Sequence, residues 1–262
     1  MKKSITRVAA AFLAGSLLAL SPKKAVKRVS PAEQRIVRKL LFAVVAVAAA
    51  IAFVPVAIAH ADGMLAVGSK ITIGGRHDCS IGFFATDSTR DQLAVTAGHC
   101  ADGLHERVTN AWGQPIGEVV AWQPDHENAK GLLDGARGVT VIYTYKSFGY
   151  QAFFTGTGTP SVGEGVRKFG EATSGTNGTI TQVWSNPNNP TLNLIESDLQ
   201  QRPGDSGCPW YTSGSPVLLG LDSSGDEQNG KPGAYAQPLS SITWQMTNVP
   251  RYGKGFSVYV QR

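Results

Sequence analysis

The sequence predicts an all-β body, and three observations predict it. Short apolar stretches rich in β-branched and aromatic residues recur through residues 62–262, glycine-rich turns separate them, and no run sustains the 3.6-residue period of a long helix. In chain order the stretches read SKITIGG, CSIGFFAT, QLAVTAG, PIGEVVAWQ, GVTVIYTY, GTITQVW, TLNLIES and SPVLLGLDSS. About 200 residues of this kind suffice for one large all-β unit or two small barrels. The Gly/Ser-rich region 213–233 lies between strands and reads as loops, not as a linker. A short helix is expected near PLSSITWQM, with Ser240 or Ser241 near its start.

Ahead of the body stands a leader, residues 1–61. Its first apolar run, VAAAFLAGSLLAL, follows Lys2, Lys3 and Arg7 and has no clear cleavage site. The second, LLFAVVAVAAAIAFVPVAIAHA, follows RIVRK and ends in Ala59-His60-Ala61, a small-x-small cleavage pattern. Processing is expected before Asp62, delivering the body to the medium or the outer side of the cell envelope. Uncleaved, the second run is near the length that spans a bilayer, the one route to membrane association. Residues 29–61 already form a complete export signal, so the first 28 read as the product of an upstream start codon.

Charge is divided unevenly. The 262-residue chain carries a net charge of +5, but residues 1–61 hold ten Lys/Arg against one Asp/Glu. Residues 62–262 hold fourteen against eighteen, a net −4. The basicity therefore belongs to the leader, and the body lacks the interleaved basic and aromatic residues of a nucleic-acid binder. Neither a cofactor nor a metal is expected: no two histidines stand at metal-ligand spacing with cysteine or a carboxylate. Export permits disulfides, and the three cysteines Cys79, Cys100 and Cys208 allow one pair and one leftover thiol. The residues alone do not say which pair forms. Nor do they fix the oligomeric state, for which a monomer is the expectation.

Two short stretches carry candidate chemistry. RPGDSGCPW places Ser206 between glycines directly after an aspartate, which suits a presented nucleophile and equally suits an ordinary turn. VTAGHC ends an apolar strand in His99 and Cys100, where a buried strand breaks into a loop. Together, in this order, VTAGHC and GDSGCPW resemble the chymotrypsin-type serine peptidases, and within them the small bacterial branch of streptogrisins and α-lytic protease. TIGGRHDCSIGF is similar to that branch's first strand and first disulfide cysteine, ATSGTNGTITQ to its Gly/Thr-rich hairpin, and LLGLDSSG to the strand beside the catalytic serine.

The resemblance implies a trypsin-like fold of two six-stranded antiparallel β-barrels, residues 62–152 carrying His99 and residues 153–262 carrying Ser206, with the active site between them. It implies an exported serine endopeptidase acting on peptide or protein substrates. Ser206 would form the acyl-enzyme after His99 takes its proton, because a serine hydroxyl is a weak nucleophile without an adjacent base. The backbone N–H groups of Gly204 and Ser206 would form the oxyanion hole. Ser223, Ser224 and Gly225 would bond the substrate main chain, with Ser224 in place of a commonly larger residue. Cys79 and Cys100 would pair, closing a loop of about 22 residues worth about 3 kcal/mol. Cys208, where the family usually has glycine, would then be a buried free thiol that fills space. The Asp205 carboxylate is expected to be held internally, with Arg202 as its candidate partner. Gln200 falls where the deep residue of the specificity pocket lies, so an uncharged, medium-sized residue before the cleaved bond is expected rather than arginine or lysine.

The chain departs from the family at the third catalytic position. The aspartate usually precedes an apolar strand, yet RGVTVIYT puts Gly138 there. Asp134, four residues upstream, serves if its loop folds back, and Asp222 is a weaker substitute. The residues thus leave three states open: an intact triad through Asp134, a weak dyad of His99 and Ser206, and a catalytically silent peptide-binding protein of the same fold. The enzyme reading is adopted, since a silent protein has no chemical need for His99, Ser206 and Gly204 together. Asn177-Gly178-Thr179 fits a glycosylation acceptor, but a place in the hairpin explains it equally.

Overall fold

Alternation of buried and solvent-facing residues builds the strands. Ile71 and Ile73 of the Lys70–Ile73 strand point inward, and in the Pro115–Gln123 strand buried Val119 and Ala121 flank the half-exposed Val120. The computed structural model describes residues 63–129, 131–225 and 233–261. The expected leader, residues 1–61, lies outside the described residues.

Seven strands of the first half of the body and one from its C-terminal end form one curled sheet of eight strands. Its order is Ser257–Val258, Phe83–Thr86, Gln92–Ala97, Val139–Thr144, Pro115–Gln123, Arg107–Asn110, Lys70–Ile73 and His77–Ser80, each antiparallel to the next. Phe83, Leu93, Val95, Val108, Val141 and Ile142 are fully buried in the hydrophobic core around it. Each such side chain contributes about 1.5–3 kcal/mol relative to exposure.

The second half closes on itself. Six strands run Val217–Gly225, Pro209–Thr212, Gly165–Gly170, Ser174–Trp184, Leu194–Ser197 and Ala234–Pro238, and the last pairs back with the first. Val166, Ile180, Ile195, Leu199, Trp210 and Leu219 fill this barrel. The fold is thus the expected all-β, trypsin-like pair of antiparallel barrels, one closed and one a curled half-barrel. The expected short helix is present at Leu239–Met246, burying Leu239, Ile242 and Met246 along one face. Beyond it the chain returns to the first sheet, where Ser257–Val258 pairs with Phe83–Thr86.

One strand shows a pattern that its composition hides. In Gly165–Gly170 the inward positions are Val166, Lys168 and Gly170, while Phe169 points out and is 44% exposed. A lysine inside and a phenylalanine outside reverse the usual preference, and the buried end of Lys168 bears on the site.

Candidate active site

The first barrel presents His99 on a single 3-10 turn, Gly98–Cys100, at the end of the Gln92–Ala97 strand. The turn is fixed from several sides. The Trp122 indole N–H donates to the Gly98 carbonyl at 2.9 Å, and the Thr140 hydroxyl donates to the same oxygen at 3.3 Å. A disulfide joins Cys100 to Cys79 on the His77–Ser80 strand, and Cys208 is a buried free thiol.

His99 meets a carboxylate, and it is not Asp134. The His99 Nδ1 stands 2.6 Å from the Asp125 Oδ2, on a side chain only 6% exposed. An ionised carboxylate only accepts, so Nδ1 carries the proton and Nε2 is left to act as base. The second oxygen, Oδ1, accepts the Gly138 N–H at 2.5 Å. The expected contact from Asp134 is thereby corrected: Asp134 is exposed in the Gly131–Ala136 strand and lines a cavity with Trp184 and Glu196. Asp222, the weaker candidate, is fully buried and accepts the Trp210 indole N–H at 2.8 Å.

Strand register explains Asp125. Val139 pairs with Gln123 across the antiparallel ladder, so the residue two beyond Gln123 emerges beside the segment that begins at Gly138. Two glycines make room. A Cβ on Gly138 would stand 1.8 Å from the Gln123 carbonyl oxygen, and one on Gly98 would stand 2.5 Å from the Asp125 Oδ1. Side-chain amides hold the shelf from behind, Gln237 and Gln245 both donating to the Arg137 carbonyl, at 3.2 and 3.0 Å. The missed signal was a carboxylate just past the end of the strand that pairs with the glycine-substituted one.

The second barrel supplies the Ser206 turn, which is stitched to the first. The Ser80 N–H donates to the Ser206 carbonyl at 2.9 Å, and the Ser80 hydroxyl donates to the Gly204 carbonyl at 2.9 Å. A Cβ on Gly207 would lie 1.9 Å from the Thr96 Oγ1 and 2.7 Å from the Ala97 nitrogen, so the residue after Ser206 packs on the strand that leads into the His99 turn. Gly204 has φ +104°, a conformation that only glycine adopts without strain. Among the described residues, neither the Gly204 nor the Ser206 N–H has a hydrogen-bond partner.

Under the turn lies a fully buried ion pair. The Lys168 ammonium is 2.6 Å from an Asp205 oxygen, and that carboxylate also accepts from the Thr173 hydroxyl and from the N–H groups of Ala172, Thr173 and Arg202. Burial pushes the Asp205 carboxyl up, but Lys168 and Thr173 outweigh it and hold it below its ordinary value. The internal partner is therefore Lys168. Arg202 contributes only its backbone N–H, while its side chain is exposed.

The strand expected to bind substrate lies against the same turn. The Gly207 N–H donates to the Asp222 carbonyl, and the Asp222 N–H donates to the Cys208 carbonyl, both at 2.8 Å. Among the described residues the hydroxyls of Ser223 and Ser224 and one Asp222 oxygen are buried without a partner. Burial, with Lys168 and Trp210 opposing it, leaves the Asp222 carboxyl pushed up to about 7. The Cys208 thiol is pushed up too, by burial and then by Asp222, so it stays protonated. Gln200 is exposed, contrary to a deep pocket position. It is Gln201 that faces the strand, its Oε1 within 2.3 Å of where a Gly225 Cβ would be.

Fold and sequence comparisons point to one class. Two linked β-barrels of this topology are the fold of the chymotrypsin-type serine peptidases, and the likeness to their small bacterial branch holds. The chain is 28% identical over 173 residues to serine protease 2 of Streptomyces fradiae, covering 62% of this chain and 94% of that one. Thermobifida fusca protease A superposes with a TM-score of 0.55 at 20% identity, over 75% of this chain and all of that one. Cellulomonas bogoriensis chymotrypsin does so with 0.54 at 22% identity, over 76% of this chain and all of its own. No protein-family model matches the chain.

Proposed function

We propose that this protein is an exported serine endopeptidase in which Ser206 is the nucleophile, His99 the general base and Asp125 the carboxylate that orients it. The observation that carries the reading is the 2.6 Å bond from His99 Nδ1 to buried Asp125. It selects the tautomer whose Nε2 accepts the Ser206 proton, and it stabilises the imidazolium that results. The ring then returns that proton to the leaving amine, and water repeats the cycle on the acyl-enzyme. The unpartnered N–H groups of Gly204 and Ser206 suit the oxyanion of the tetrahedral intermediate, each worth about 3–4 kcal/mol in the transition state. The backbone of Ser223, Ser224 and Gly225 supplies the edge along which a peptide pairs.

The silent-protein reading rested on Gly138 in the aspartate's place. The carboxylate of Asp125 at His99 supports the catalytic reading instead. Export is read from the leader; among the described residues no helix is long and apolar enough to cross a membrane.

The test is covalent labelling by a fluorophosphonate between pH 7 and 9, with Ser206→Ala as the control. Labelling that requires Ser206, together with peptide hydrolysis, supports the proposal. A folded wild-type chain that resists the probe returns the protein to the peptide-binding class.

A further inference from the structure

Asp125 uses both of its carboxylate oxygens. Oδ2 faces the His99 ring at 2.6 Å, and Oδ1 accepts the Gly138 N–H at 2.5 Å. That N–H belongs to the peptide unit whose carbonyl is Arg137's. A peptide unit is planar and trans, so its C=O and N–H point in opposite directions and fixing one aims the other.

Two side-chain amides fix the carbonyl. Gln237 Nε2 donates to it at 3.2 Å and Gln245 Nε2 at 3.0 Å. A carbonyl oxygen accepts and does not donate, so the NH₂ end of each amide must face it. Gln237 lies on the Ala234–Pro238 strand of the second barrel, and Gln245 on the Leu239–Met246 helix that follows. Both therefore reach from the second half of the body to an acid in the first. Gln245 also holds the other side of the shelf, its backbone carbonyl accepting the Gln123 side-chain amide at 3.3 Å. One helical residue thus grips the residue two before Asp125 and the residue one before Gly138.

Packing alone does not call for these amides. Gln237 is 2% exposed and Gln245 1%, the latter beside Leu239, Ile242 and Met246 on the buried face of its helix. Among the described residues the Gln245 Oε1 is buried without a hydrogen-bond partner. Such an atom is destabilising, and a methionine would fill the same space without that penalty.

We propose that Gln237 and Gln245 are positioning residues of the peptidase site, which act through the Arg137–Gly138 peptide to hold Asp125 in the orientation that bonds His99. The proposal rests on the peptidase reading for its catalytic consequence. Without the amides the peptide is free to swing, Oδ1 loses its donor and Oδ2 loses its aim. The loss falls on kcat and not on KM, because the imidazolium that Asp125 stabilises forms in the transition state and not on substrate binding.

The experiment compares Gln245→Met and Gln237→Met with Ile242→Val, all in the full chain. Ile242 is a fully buried neighbour on the same helix, so its variant perturbs packing and leaves both amides in place. Two readouts are taken: kcat and KM for peptide hydrolysis, and the proton NMR resonance of the His99 Nδ1–H, assigned by its absence from His99→Ala. Each glutamine variant is expected to lower kcat about tenfold, the size of one hydrogen bond, and to leave KM within about twofold. The Nδ1 proton is expected to move upfield as its bond to Asp125 lengthens, and Ile242→Val is expected to change neither readout. The proposal is overturned if the folded glutamine variants keep kcat within about twofold of wild type, if the loss appears in KM, or if the resonance stays in place. Where one variant fails to fold, the other carries the same test; failure of both marks the amides as structural and overturns the proposal as well. The resonance needs no turnover, so it tests the amides even in a protein that fluorophosphonate does not label, and the two failures stay distinct.

Discussion

Replacing Asp125 by asparagine tests the site most directly, since it keeps the shape and changes one group. Asp125 accepts two N–H bonds, from His99 at 2.6 Å and from Gly138 at 2.5 Å. An amide offers one acceptor and one NH₂, so one of the two donors must face another donor. If the NH₂ turns to His99, the ring shifts its proton to Nε2 and cannot accept from Ser206. Losing this function in a Ser-His-Asp site lowers turnover by about 10⁴, or about 5.4 kcal/mol of barrier. If the NH₂ turns to Gly138, a buried donor is unsatisfied at a cost of about 1–3 kcal/mol of stability. The expected result is a fall of about four decades in the second-order rate of peptide hydrolysis, a matching loss of fluorophosphonate labelling, and a modest drop in melting temperature. Asp134→Asn is the control and is expected to be labelled by fluorophosphonate at the wild-type rate. A folded Asp125→Asn protein that loses less than about tenfold, or an equal loss in Asp134→Asn, refutes the reasoning.

Three further outcomes are expected. Lys168→Met abandons a fully buried carboxylate, so it should cost about 3–5 kcal/mol in chemical denaturation, and Lys168→Met with Asp205→Asn should recover part of that loss; a cost under about 1 kcal/mol would contradict the buried pair. Asp222 is raised in the folded chain, so its contribution to stability is fully present below about pH 4 and is lost as pH rises through about 7; Asp222→Asn should flatten that fall, measured as denaturation midpoints across pH, and Asp205, held low, should act in the opposite sense, its contribution present above pH 4 and lost in acid. Cys79→Ala with Cys100→Ala opens a loop spanning 21 positions and should lower stability by about 3 kcal/mol; an unchanged melting temperature would rule the bridge out as a support of the His99 turn.

What the residues revealed and what they hid divide along physical lines. SKITIGG was legible because apolar residues alternate along it, and QLAVTAG because it is a short apolar run buried on both faces. Gly165–Gly170 was not, because its inward side chains are Val166, Lys168 and glycine, and only the buried Asp205 explains why a lysine points in. VTAGHC and GDSGCPW were legible as motifs because the chemistry fixes residue type and local turn together. The Asp125 contact was hidden for a different reason. It depends on which residue lies across an antiparallel ladder, and register is set by pairing over the whole sheet rather than by local sequence. Gln200 was misplaced by the same weakness, since counting back from Ser206 ignores which way each residue of a loop faces.

The chemistry requires a carboxylate at a point in space beside His99 Nδ1, not on a particular strand. Gly138 lies next to the strand that begins at Val139, and Asp125 lies just past the partner strand that ends at Gln123. An acid from either side can therefore arrive at the same imidazole. The two solutions exclude each other locally: a side chain at 138 would begin 1.8 Å from the Gln123 carbonyl, and the Gly138 N–H is already given to Asp125. Once the acid comes from 125, glycine at 138 both clears its space and supplies its second hydrogen bond. On the proposed mechanism Gly138 is part of the site's construction, and the gap at that position reads as a displaced acid rather than a lost one.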